Sequence, residues 1–161
     1  MTHPPLFTAS SIVQAQWIDY NGHMNMGYYL VAFDEIATDG FFDYLGIGEE
    51  HKQSNNHSTF TLGSNIDFLK EVFEGDELRF ETRLVDYDHK RLHYFHCMYN
   101  VDKDYLAATN ECLTMYIDTE SRRGTSFSEE LMASFQLELE NGAAAEPIAG
   151  IGRKLGIRRQ P

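Results

Sequence analysis

An acid, two amides, a glycine and a histidine fall within seven residues of this chain: Asp19, Asn21, Gly22, His23 and Asn25, in the run Trp17-Ile18-Asp19-Tyr20-Asn21-Gly22-His23-Met24-Asn25. The run closes an apolar segment (12–17) and leads straight into a helical pattern that starts near Met26. A helix N-terminus presents free N–H groups and a partial positive charge, so it can hold an oxyanion. An acid facing such a site can attack a carbonyl or activate water while the helix end stabilises the developing charge. That is acyl-transfer chemistry. Taken alone, Asp-x-Asn-Gly equally suits a plain turn whose side chains bond nearby backbone. The helix behind it tips the balance towards catalysis, with Asp19 as the acid, Gly22 allowing close backbone approach, and Asn21, His23 and Asn25 as orienting groups. A His beside a helix start is as often structural, and His23 stands evenly between the two roles.

The elements that must position these residues are readable from periodicity. Residues 7–17 form an expected first strand. From Met26, apolar residues Tyr29, Leu30, Phe33, Ile36, Ala37, Phe41, Tyr44 and Leu45 recur at three- and four-residue steps, which predicts a helix. Asn25 is the expected N-cap, and Gly46 with Gly48 the stop. The broad aromatic stripe suits a helix wrapped by a sheet. Residues 49–58 are polar and are expected as a loop. Strands are expected over 60–69, 78–84, 91–101 and 105–118, the second alternating Leu78, Phe80, Thr82 and Leu84 with charged neighbours. A hairpin turn is expected at 102–104 and a second helix over 128–139. This order supports one α+β domain over 1–140 with a buried helix. Gly142 to Ala145 resembles a linker, and 141–161 is expected as a basic tail carrying Arg153, Lys154, Arg158 and Arg159.

With 161 residues the chain can bury one core without covalent staples. A formal net charge of −12 argues against nucleic acid as a partner, since phosphates are bound by basic surfaces. No apolar run reaches transmembrane length, so no membrane partner is expected. The start lacks a basic, apolar leader, and Cys97 and Cys112 sit in strand patterns far from any Cys-x-x-Cys spacing. Two buried free thiols in a reducing compartment is the expectation, and hence a cytoplasmic protein. His93 and His96, three apart on a strand, should face opposite sides, and His51 and His57 lack an acid or Cys at ligand spacing. No metal is expected.

The spacing of Asp19 to Gly22, followed by His23, Met24, Asn25 and a helix bearing Tyr28 and Tyr29, resembles the hotdog-fold acyl-CoA thioesterases of the 4-hydroxybenzoyl-CoA thioesterase type. That resemblance implies an antiparallel sheet wrapped around a long central helix, with two protomers pairing edge to edge as a homodimer or, further, a homotetramer. It implies that Asp19 is a general base or a nucleophile, and that the backbone N–H of Met26 donates to the oxyanion. It places the nucleotide phosphates of coenzyme A, part of the substrate rather than a separate cofactor, against the basic hairpin of His89, Lys90 and Arg91. Their clustering in an acidic chain agrees with this, although Lys and Arg also simply keep hairpins soluble.

Over residues 7–120 the wording is closer still to the betainyl-CoA thioesterase branch: Phe60-Thr61-Leu62, His89-Lys90-Arg91-Leu92-His93 and Leu106-Ala107-Ala108-Thr109-Asn110-Glu111. A trimethylammonium acyl group binds aromatic faces, each contributing about 0.5–2 kcal/mol. Trp17, Tyr28, Tyr29 and Phe60 are the candidate substrate-binding faces, with Tyr20 also near the site; Phe33 is weaker, since aromatics on a buried helix are usually core. Aromatic and short aliphatic acyl groups remain open. Two rival functions stand beside hydrolysis. An acyl-CoA hydratase or dehydratase could use Asp19 with His23, but the Asn-Pro before His in many hydratases is missing. A non-catalytic acyl-CoA sensor would carry a DNA-binding extension, and only a few residues precede the first strand.

Overall fold

The computed structural model describes residues 6–160; Met1 to Pro5 and Pro161, the ends of the expected domain and tail, lie outside the described residues. The chain builds β1 (Phe7–Ile12), α1 (Met26–Ala32), a π-helical turn (Phe33–Thr38), α2 (Asp39–Leu45), α3 (Glu49–Asn55), β2 (His57–Phe68), β3 (Glu77–Tyr87), β4 (Arg91–Asn100), β5 (Tyr105–Asp118), β6 (Arg123–Gly124) and α4 (Glu129–Ala144). The strands form one antiparallel sheet in the order β1-β3-β4-β5-β2, with the short β6 on β5. The sheet curls around the helical rod over 26–45, which is the hotdog arrangement.

The rod holds because its inward face is largely apolar: Ala32, Phe33, Ala37 and Phe41 are completely buried. The first three belong to one core cluster, with Trp17, Met24, Tyr29 and Val72, and Phe41 belongs to a second, with Tyr94, Tyr116 and Phe135. Between them lies His96. Its Nε2 meets Thr38 Oγ1 at 3.0 Å and its Nδ1 meets Thr82 Oγ1 at 2.6 Å, while its ring stacks on Phe33. Burial drives the His96 pKa down to about 3, so the ring is neutral and acts as a hydrogen-bonded tie between rod and sheet. His93 points the other way, to Glu111 at 2.7 Å, so the two faces fall as the strand period requires. Cys97 and Cys112 are buried and unpaired.

Four expectations need correction. The first strand ends at Ile12, and residues Ala15–Trp17 form a 3-10 turn instead. The expected loop over 49–58 is largely the helix α3: Glu49 and Glu50 sit in its first turn, and Asn56 caps it in the left-handed region. Its anchor is polar, which is why no apolar period marks it. His51 Nε2 and, from β2, His57 Nδ1 both reach the Tyr116 hydroxyl, at 2.6 and 2.9 Å. The helical rod also carries an extra residue per turn over Phe33–Thr38, which leaves its apolar spacing almost unchanged.

The fourth concerns the C-terminal region. α4 continues to Ala144, through the expected linker, because Gly142 packs where a Cβ would stand 3.0 Å from the Leu84 carbonyl oxygen. Beyond it the chain crosses the outer face of the sheet rather than hanging free. Arg83 of β3 donates to the Glu146 carbonyl at 2.7 Å, the Gly152 N–H to Glu111 of β5 at 2.7 Å, and the Arg153 guanidinium to Asp67 of β2. Phe95, in register between Arg83 and Glu111, is only 2% exposed beneath this crossing.

Candidate active site

The loop from Ile18 to Met24 is a closed turn. Ile18 and Met24 bridge, the Asp19 N–H donates to the His23 carbonyl (3.1 Å), and the Gly22 N–H to the Asp19 carbonyl (3.0 Å). The return requires φ +83° at Gly22, a conformation open to glycine and strained for other residues. Two further bonds seat the loop on the fold: Asn25 N–H to the Trp17 carbonyl and Met24 N–H to the Val72 carbonyl, both 2.9 Å.

This turn delivers Asp19 to the start of α1. Its Oδ1 accepts the Asn21 N–H at 2.8 Å and its Oδ2 accepts the Asn25 side-chain amide at 3.1 Å. Asn25 is also the N-cap, its Oδ1 accepting the Gly27 N–H at 2.9 Å. Met26, the first helical residue, has no intrahelical acceptor for its own N–H. A carboxylate and a free helix-tip donor therefore stand on either side of one asparagine. The Asn21 N–H is the main cause holding the Asp19 carboxyl below its usual 3.8; desolvation works against it, and the Asn25 amide and the nearby His23 ring add to the lowering. Asp19 is ionised at neutral pH and partly open to solvent, as a base or nucleophile must be.

The other expected residues divide. His23 Nδ1 faces the Met24 carbonyl at 3.1 Å and its Nε2 lies 3.7 Å from Glu71, a partner that sequence spacing does not reveal. Trp17 and Tyr29 are core, 5% and 4% exposed; Tyr29 donates to the Lys70 carbonyl and Trp17 stacks on Tyr28. Tyr28 is half-buried at the edge of that core, and Tyr20 is almost fully exposed. A cavity of about 220 Å³ opens beside the helix tip, lined by His23, Met24, Met26, Tyr29, Phe68 and Lys70 among others.

Phe60 and the basic hairpin lie elsewhere. Phe60 pairs with Met115, which pairs with Arg91, whereas Phe68 beside the helix tip pairs with Ala108, which pairs with Met98. From Phe60 to Phe68 is eight residues of β2, roughly 27 Å at the rise of an antiparallel strand. Within one chain, His89, Lys90 and Arg91 are therefore not brought to Asp19. Arg91 turns both guanidinium donors, at 2.7 Å and shorter, onto Asp88, whose carboxyl this pair holds down at about 2. Lys90 and His89 have no ion-pair partner among the described residues.

β2 is an edge of the sheet, and it exposes Phe60, Leu62 and Phe68, each at least 38% accessible, with Leu69 exposed just beyond its end. Among the described residues no group of three or more His, Cys, Asp or Glu side chains is placed to hold a metal. No helix is long and apolar enough to cross a membrane.

The chain belongs to the thioesterase-like superfamily, whose sequence profile matches residues 13–135. It is 32% identical over 152 residues to a betainyl-CoA thioesterase of Pseudomonas aeruginosa, covering 94% of this chain and 95% of that protein. In three dimensions it is similar to a Staphylococcus aureus protein solved in complex with CoA, with TM-score 0.89 and 28% identity over 98% of this chain and 99% of the other. It shares its fold with a 1,4-dihydroxy-2-naphthoyl-CoA thioesterase from Synechocystis, at TM-score 0.70 and 15% identity over 81% and 95% of the two chains.

Proposed function

We propose that this protein hydrolyses an acyl-CoA thioester, with Asp19 as the reacting carboxylate and the N–H of Met26 as the oxyanion donor. The observation that carries the reading is the Asn25 amide, which ties the Asp19 carboxylate to the cap of the central helix. The thioester carbonyl enters between them. Ionised Asp19 either takes a proton from the water that attacks the carbonyl carbon, or attacks that carbon itself to give an anhydride that water then opens. On both routes the carbonyl oxygen gains negative charge at the helix tip, and the thiolate of coenzyme A leaves and is protonated. A preorganised donor at such an oxygen typically contributes about 3 kcal/mol to the transition state.

The unpaired β2 edge supports a second copy as partner. Antiparallel pairing of two β2 strands turns the Phe60 end of one copy towards the Phe68 end of the other, and so carries Lys90 and Phe60 of that copy to the first copy's Asp19. Lys90 and His89 then meet the phosphates, with Arg91 already committed to Asp88. The relatives named for betainyl-CoA make a trimethylammonium acyl group the leading substrate, held against the faces of Tyr28 and Phe60.

A thiol-release assay across betainyl-, acetyl- and benzoyl-CoA tests the reading, run on the wild type and on Asp19→Asn. The expected result is turnover reduced by roughly 10²–10⁴-fold in the variant, with acyl-CoA binding retained by calorimetry. Full activity of Asp19→Asn removes the assignment, and equal rates on all three thioesters remove the betainyl preference.

A further inference from the structure

Serine, threonine and aspartate cap helices about as well as asparagine does, so capping alone does not explain Asn25. What distinguishes asparagine is that its acceptor and its donor sit on two separate atoms, so one side chain can cap the helix and donate in another direction, whereas a hydroxyl does both from a single oxygen. Both are used here. Oδ1 takes the Gly27 N–H at the second helical position, and Nδ2 donates to Asp19 Oδ2 across six residues of chain. Asn21 holds the other carboxylate oxygen from within the turn. The carboxylate plane is thus fixed from two sides, once by its own loop and once by the helix.

A second residue fits this arrangement. Glycine is a poor helix former, yet it occupies position 27 at the start of the central rod. A Cβ at Gly27 would stand 3.2 Å from Asn25 Oδ1, tighter than ordinary van der Waals contact. The bare helix start leaves room for the amide in the one orientation that serves both the cap and the acid.

Resting on the reading of Asp19 as the reacting acid, we infer that Asn25 is a positioning residue, seated by Gly27, that locks the carboxylate in register with the first free N–H of the helix. It acts through Asp19, to which its amide donates. Because one amide joins the two, the acid and the oxyanion donor at Met26 move as a unit, and loosening of the first helical turn displaces both. The amide also stabilises the ionised form of Asp19, so its loss raises the acid's pKa.

Full-length variants test this with two readouts, steady-state thiol release and an NMR titration of the Asp19 carboxyl carbon. Asn25→Ser keeps a capping oxygen and removes the separate amide donor that reaches Asp19. It should melt close to the wild type, keep KM, lose roughly ten- to a hundredfold in kcat, and titrate Asp19 at higher pH. Asn25→Asp keeps the acceptor but sets two carboxylates face to face, so the acid limb of kcat/KM should move up by about one pH unit or more. Gly27→Ala should shift both readouts in the same direction by less.

Wild-type kcat and an unmoved Asp19 titration in both Asn25 variants overturn the inference. So does a fall in kcat in Asn25→Ser and Asn25→Asp with the titration unmoved. An inactive wild type on every acyl-CoA would defeat the thioesterase reading instead, and the titration would still decide the Asn25 link.

Discussion

Two inactive variants should restore each other. Asp19→Asn removes the acid, and a double substitution of His89 and Lys90 to Ala removes the free cations of the hairpin. In one chain these groups lie at opposite ends of β2, about eight residues or roughly 27 Å apart. If two chains pair through that edge, each site takes Asp19 from one and the hairpin from the other. A mixed dimer then has one site with both parts intact and one with neither. Random pairing makes half of all dimers mixed, so about a quarter of sites, and roughly a quarter of the wild-type rate, should return. The two variants would be unfolded together, refolded as a mixture and compared with each refolded alone, at acyl-CoA concentrations below KM so that the hairpin's loss registers. A mixture no more active than the sum of its parents would mean that Asp19 and the hairpin serve one site within one chain, or that the hairpin serves none. Either outcome would refute the edge-pairing argument.

Further expectations follow from charge and burial. The Asp19 carboxyl sits below 3.8, and it must be ionised to act, so activity should persist as pH falls until that region. A kcat/KM profile with an acid limb near pH 6 that survives His23→Gln would contradict it. Burial, with His57 close by, lowers the pKa of His51 from its usual 6.5, so the unfolded chain binds the proton more readily. Stability from this group is complete above pH 6.5 and is lost as pH falls below it. His51→Gln should flatten the fall of the denaturant midpoint with acidification; an unchanged slope would exclude this source. Phe33 is fully buried against Phe80 and His96, and Phe33→Ala should cost about 3–5 kcal/mol by urea unfolding.

Elements with an apolar period were legible before any coordinates: the rod from Met26 to Gly46 with both caps, and β3 with its buried even positions. The turn holding Asp19 was legible too, because glycine, asparagine and the helix start constrain one another within a few residues. What escaped was set by distant partners. α3 is held by His51 on Tyr116, and the C-terminal residues by Arg153 on Asp67. Neither contact leaves a local pattern. Spacing could nominate Lys90 and Arg91 as phosphate ligands, but it carries no measure of how far along the sheet they lie from Asp19. Gly27 was overlooked because its value is the space it leaves for a neighbour.

Residues 146–153 lie across the outer face of the sheet as a strap held at three strands. A stack of copies through the strapped region would first have to peel that cover away. A chain shortened before Glu146 should therefore gain a tendency to clump that the intact chain lacks.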